Sequence, residues 1–212
     1  MKIIKVNLSE DFSEALTEVI AVLKSGGVIV YPTDTLYGLG VNALDPYAVE
    51  KVFRIKQRPK SKPLPIAIRN IKWARELALI YEKEEKVLKA VWPGQVTVVL
   101  PKRNIVPDIL TAGQKSVAMR IPNSQFVDKL LGKFGYPITS TSANISNELP
   151  SNRASEIAEK FKDSYYKPDL IIDVGDLKIS EPSTVLDLTS DKPKILRVGP
   201  TKPEKLLKLL KI

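Results

Sequence analysis

Two side chains that carry much of enzyme chemistry are missing: the 212-residue chain has no histidine and no cysteine. Their absence excludes zinc fingers, cysteine–histidine nucleophile pairs, serine–histidine–aspartate triads and disulfide scaffolds. Any metal must sit on oxygen ligands. Proton transfer falls to carboxylates, lysine, tyrosine or the substrate itself. Long apolar runs are lacking too. The longest charge-poor stretch, Ser25–Leu44, holds Pro32, Asp34 and several glycines, so it reads as no membrane span. Lys2 and Lys5 interrupt the apolar start Met1–Leu8, which has no export-signal core. The expectation is a cytoplasmic protein with no membrane partner.

What is present is globular material with a basic bias. A hydrophobic fraction of 43% with 27% charged residues argues against disorder, and the length suits one domain over residues 1–212. Lys and Arg number 33 against 24 Asp and Glu, a formal charge of +9. Such an excess suits a polyanion (nucleotide, nucleic acid or anionic lipid), and equally a lysine-rich solvated surface.

Hydrophobic periodicity predicts helices over 10–24, 45–56, 72–80, 82–91, 125–134, 154–161 and 202–212. Strands are expected at 28–31, 64–68, 95–100, 116–121, 137–142, 170–174, 184–188 and 195–198. Interleaving of this kind indicates a mixed α/β sheet in one layered domain. Several strands follow one another with no helix between, which argues against a purely parallel doubly wound sheet.

Three constellations could carry chemistry. In Tyr31-Pro-Thr-Asp-Thr-Leu-Tyr-Gly-Leu-Gly40 a strand breaks into a polar loop. Thr33 and Thr35 should face one side and Asp34 the other, with Gly38 and Gly40 allowing close backbone approach to a ligand. A turn stabilised by hydroxyls is the plainer reading. The loop is neither a P-loop nor a dinucleotide fingerprint. In Lys56-Gln-Arg58-Pro59, followed by Lys60 and Lys62, the proline should push Arg58 out of helical geometry and align it with Lys56. Together they would suit phosphate oxygens, or simply complement a helix C-terminus. In Pro137-Ile-Thr-Ser-Thr-Ser-Ala-Asn144 a strand is paved with small hydroxyls, and Ser140, Ser142 and Asn144 share a face that suits a polar ligand. Arg120, Ser183 and Arg197 are weaker candidates. Arg120 could meet a carboxylate or form a surface ion pair.

Taken in order, Pro32-Thr-Asp-Thr-Leu-Tyr-Gly-Leu-Gly40, Lys56-x-Arg58-Pro59, Pro93-Gly94…Thr97-Val-Val-Leu100, Val117-Ala-Met-Arg120-Ile-Pro122, Ser142-Ala-Asn144 and Ser183-Thr-Val resemble the YrdC/TsaC family of threonylcarbamoyl-AMP synthases. The resemblance runs from about residue 10 to 200. It implies a twisted α/β sheet with flanking helices around a basic cavity. The implied reaction joins L-threonine, bicarbonate (or CO2) and Mg2+-bound ATP, and its product feeds a tRNA threonylcarbamoyl transferase complex. By position, Thr35, Arg120, Ser140 and Ser183 would bind threonine. Arg58, Lys62, Ser116, Ser142, Asn144, Ser151 and Arg197 would bind ATP, and Lys56 and Arg58 would be catalytic. No protein metal ligand is implied. The chain departs from the pattern at Lys62, at Ala67 (a histidine in many members) and at Asn147 (usually glycine). Two alternatives stand beside this reading: a YciO-like paralogue with another substrate, and a noncatalytic module that binds tRNA or double-stranded RNA directly through its basic surface.

Overall fold

A computed structural model describes residues 1–210. The chain begins β1 (Lys2–Lys5), α1 (Ser13–Lys24), β2 (Ile29–Tyr31), β3 (Gly38–Gly40), α2 (Pro46–Lys56), β4 (Ile66–Ala67), α3 (Ile71–Leu77), α4 (Glu82–Val91) and β5 (Val96–Pro101). It continues α5 (Asp108–Thr111), β6 (Ser116–Arg120), α6 (Gln125–Phe134), β7 (Ile138–Thr139) and β8 (Thr141–Ser142). It closes with α7 (Ala154–Phe161), β9 (Leu170–Asp173), β10 (Thr184–Asp187), β11 (Lys194–Arg197) and α8 (Pro203–Leu210). The expected helix over 202–212 is α8, and Lys211 and Ile212 lie outside the described residues.

The mixed α/β class is as expected, but the strands form two sheets. One has five strands in the order β1-β9-β2-β3-β8, the other six in the order β11-β10-β5-β6-β4-β7. Both mix parallel and antiparallel pairs. The expected strand over 137–142 is split between them. β7 pairs with β4 in the larger sheet, and β8 pairs with β3 in the smaller. The break falls at Ser140, whose N–H leaves both ladders and donates to Pro65 O at 2.8 Å.

Strand alternation sorts the core. Val30 and Ile171 face one apolar cluster with Leu39, Val52, Val98 and Met119, while Ile29, Tyr31, Leu170 and Ile172 face a second under α1 and α6. The β-branched run at β2, buried on both faces, is what a central strand needs. Helix ends are set by local chemistry. Asp45 accepts from the N–H groups of Tyr47 and Ala48 with Pro46 at the first helical position, and Ser124 and Asn70 cap α6 and α3 in the same way. No helix of the described residues is long and apolar enough to cross a membrane.

Candidate active site

A cavity of about 250 Å³ opens where the two sheets meet. Its first wall is the loop after β2. The Thr33 hydroxyl accepts from the N–H groups of Thr35 (3.1 Å) and Leu36 (3.2 Å) and donates to Leu36 O (2.7 Å), closing a hydroxyl-built turn. That turn sends Thr33 and Thr35 into the cavity and leaves Asp34 out of its lining, the two-sided arrangement expected from the sequence. The glycines serve a different end from the expected one. Tyr31 pairs with Gly38 across the sheet, and its ring covers both glycines. A Cβ would stand 2.9 Å from Tyr31 Cε1 at Gly40 and 3.1 Å at Gly38. The ring is buried, its hydroxyl donates to Thr139 O at 3.1 Å, and burial pushes the phenol up to about 12. Close approach is therefore needed by an internal side chain, although Gly38 also lines the cavity.

The second wall is the basic end of α2. Lys56 and Arg58 do converge, but through a left-handed residue rather than an extended exit. Gln57 has φ 49°, its N–H donates to Arg54 O, and that of Arg58 reaches back to Phe53 O, a Schellman closure. Lys56 turns inward and is 2% exposed. Its ammonium donates to Ser142 O (2.5 Å), Asn144 O (2.8 Å) and Asn144 Oδ1 (3.0 Å). Those three acceptors match its three N–H donors, so Lys56 has none left for a reacting atom. In this structure Lys56, expected to be catalytic, directs its ammonium to the hydroxyl-rich segment and ties Ser142 and Asn144 to the end of α2. The acceptors favour the ammonium form, but burial, and then the charge of Arg58, oppose it and bring the pKa down to about 7. Arg58 donates from Nε to Lys62 O (3.1 Å) and from Nη2 to Pro63 O (2.9 Å), which leaves three N–H groups uncommitted. Half-buried, it has a pKa lowered by that burial. Lys62 lines the mouth.

The third wall is the crossing between sheets. Ser140, Ser142 and Asn144 all line the cavity, as their shared face predicts, and Thr141 and Ser146 join them. Ser142 donates to Asn144 Oδ1 at 2.6 Å and Asn144 Nδ2 donates to Glu148 O at 2.6 Å. Ser146 was not picked out from the sequence, although the same two-residue spacing reaches it. Its hydroxyl is buried without a partner among the described residues. Asn147 takes φ 72°, a left-handed turn that asparagine tolerates.

Arg120 closes the floor at 5% exposure. It forms an ion pair with Asp34, donates from Nη1 to Thr35 Oγ1 (3.0 Å) and from Nε to Gly94 O (2.7 Å). The pair is buried, not superficial. Opposite it, Arg197 donates to Ser183 O from Nε (3.0 Å) and Nη2 (2.7 Å), and Ser183 shares a 2.7 Å hydroxyl contact with Thr97. Gly199 is required there, since a Cβ would lie 2.2 Å from Pro182 O. Two expected ATP residues are not brought in. Ser116 starts β6, at the far end of that strand from Arg120. Ser151 donates to Glu156 (2.6 Å) and accepts from the Arg153 N–H (3.0 Å), which ties it to the start of α7. Ala67 lies in the second apolar cluster, outside the cavity lining.

The lining thus gathers five cationic side chains (Lys56, Arg58, Lys62, Arg120 and Arg197) with a row of hydroxyls and no carboxylate. Among the described residues no three carboxylates cluster as metal ligands. Such a wall can take a polyphosphate and a carboxylate side by side.

Comparison with known proteins gives matches over nearly the whole chain. The Sua5/YciO/YrdC family, described as telomere recombination, matches residues 21–199. A threonylcarbamoyl-AMP synthase of Pyrococcus abyssi is 39% identical over 207 residues, 97% of this chain and 60% of that protein. The crystal structure of P. abyssi Sua5 complexed with L-threonine superposes with a TM-score of 0.92 at 38% identity, covering 99% of this chain and 61% of that one. A putative threonylcarbamoyl-AMP synthase of Methanocaldococcus jannaschii is 34% identical, over 97% of this chain and 96% of its own length. YciO of Escherichia coli, an uncharacterised protein, is 34% identical over 89% of this chain and 91% of its own. Its crystal structure gives a TM-score of 0.84 at 28% identity, over 99% and 98% of the two chains. The chain therefore spans about 60% of the P. abyssi protein and nearly all of the other two.

Proposed function

Since this chain belongs to the Sua5/YciO/YrdC family, we propose that it is a threonylcarbamoyl-AMP synthase, making threonylcarbamoyl-adenylate and pyrophosphate from L-threonine, bicarbonate or CO2, and ATP. The carrying observation is that one cavity is lined by Arg120 with its hydrogen-bonded Thr35, by Arg58 and Lys62, and by Ser140, Ser142 and Asn144.

The chemistry suits a chain without histidine. The threonine amine adds to CO2 and loses a proton, giving a carbamate. A carbamate oxygen attacks the α-phosphorus of ATP, and the bond to the β-phosphate oxygen breaks to release pyrophosphate. The nucleophile belongs to the substrate, so the protein orients reactants and offsets developing charge. Arg120 holds the threonine carboxylate, with Thr35, Ser140 and Ser183 around it. Arg58, Lys62 and Arg197 take phosphate oxygens, with Ser142 and Asn144 held in place by Lys56. Mg2+ enters on the triphosphate as part of the substrate. The product serves a tRNA threonylcarbamoyl transferase complex in the cytoplasm, and the basic surface offers tRNA a direct contact.

Pyrophosphate release from MgATP and bicarbonate, with L-threonine, with L-serine or with neither, tests this reading. Release that needs threonine and prefers it to serine is expected. ATP binding without threonine-dependent release would favour the YciO-like alternative, which identity alone does not separate, since YciO and the M. jannaschii synthase are both 34% identical to this chain. Neither binding nor release would favour the RNA-binding module.

A further inference from the structure

The turn Trp92-Pro93-Gly94-Gln95, between α4 and β5, lines no part of the site cavity, yet it grips the guanidinium that does. Gly94 O accepts from Arg120 Nε at 2.7 Å, and the Gly94 N–H donates to Ile121 O at 2.9 Å. Gln95 Nε2 donates to Asp34 O at 2.9 Å. The turn itself is stiffened by Trp92, whose indole N–H donates to Val96 O at 2.8 Å. Asp34 completes the cradle through its ion pair with Arg120 Nη2, at side-chain exposures of 13% and 6%. Its second oxygen is buried and without a partner among the described residues.

A buried ion pair with an unmatched oxygen is a poor device for stability alone. Its geometry suggests another use. Arginine has five N–H donors, and the bonds to Gly94, Thr35 and Asp34 take one each from Nε, Nη1 and Nη2. One N–H on each terminal nitrogen remains, the number a bidentate carboxylate contact uses.

We propose that Asp34 and Gln95 are positioning residues for Arg120, fixing its guanidinium so that the site selects an amino acid with a free carboxylate. The inference rests on the reading above, in which Arg120 receives the threonine carboxylate. Asp34 orients Arg120 and does not compete with the substrate for it.

Calorimetric binding of L-threonine, of L-threoninol (which lacks the carboxylate) and of MgATP tests this in Asp34→Ala, Asp34→Asn, Gln95→Ala and Arg120→Ala. Asp34→Ala should weaken threonine binding about tenfold, the effect of one lost hydrogen bond to a charged group, and Gln95→Ala, which loses only a neutral bond to the Asp34 carbonyl, by about threefold. Threoninol and MgATP should bind as in the parent, so the preference for threonine over threoninol collapses. Asp34→Asn, which keeps an acceptor, should lose less than the alanine variant. Unchanged or tighter threonine binding in the Asp34 variants would overturn the proposal, as would a parallel loss of threoninol and MgATP. Arg120→Ala separates the two levels. If it loses threonine while the Asp34 and Gln95 variants keep it, only the positioning role fails. If it keeps threonine, the reading of Arg120 fails and the positioning role with it.

Discussion

Two neighbouring cations, Lys56 and Arg58, divide the labour of the basic wall. Lys56 spends all its donors on protein oxygens, whereas Arg58 keeps three for a ligand. Arg58→Ala should weaken MgATP binding by about 1.5–3 kcal/mol, and equal calorimetric affinity in variant and parent would remove Arg58 from the nucleotide site. Lys56 gives a pH signature. Its folded value of about 7 lies below the ordinary 10.5. Between those values the unfolded chain holds a proton that the native chain has released, so stability rises with pH from about 7 to about 10.5. Below 7 the cost of charging the buried amine is present in full. Lys56→Met should flatten this rise in urea unfolding curves taken across that range. A slope that survives in Lys56→Met must come from other groups.

Two element junctions build the site, and each depends on one backbone position. Gln57 closes α2 in a left-handed conformation that costs a non-glycine residue roughly 1–2 kcal/mol. Gln57→Gly should therefore raise unfolding stability by about 1 kcal/mol and leave MgATP binding intact. A loss of stability would show that the Gln57 side chain matters more than its backbone. Gly40→Ala, in contrast, drives a Cβ into the Tyr31 ring and should cost about 1–3 kcal/mol as overpacking, read as a lower urea midpoint.

These junctions also mark where sequence reading stops. Helices α4, α6 and α7 match their expected spans because caps and apolar spacing are local signals. β3 carries no strand propensity, since two of its three residues are glycine and the covering ring is lent by Tyr31. The split at Ser140 depends on Pro65, which no neighbouring residue announces. Cavity residues grouped in short segments, such as 33–38 and 140–144, were legible from spacing. The Asp34–Arg120 pair was not, because its partners are 86 positions apart. Ser116 and Ser151 lie outside the cavity lining for other reasons: Ser116 sits at the far end of β6 from Arg120, and a local bond to Glu156 holds Ser151.

For the whole molecule, a formal charge of +9 becomes specific because five cations converge in one cavity. MgATP affinity should fall steadily between about 0.05 and about 0.5 M salt as screening shortens from roughly 14 to 4 Å. Threonine, a zwitterion, should respond much less. Equal salt dependence of the two ligands in calorimetric titrations would show that they do not use separate charged walls. The crossing at Ser140 has a consequence in time as well as in space. The segment that forms β7 and β8 pairs with β4 and β3, far back in the chain, and β10 pairs with the distant β5. Pairings of high sequence separation carry a loop-closure cost that slows folding. A nascent chain on the ribosome can order α1 and α2 early, but its cavity stays incomplete until Ser183 and Arg197 have emerged and docked. The proposed synthesis of a mixed anhydride would thus have to await the completed cavity.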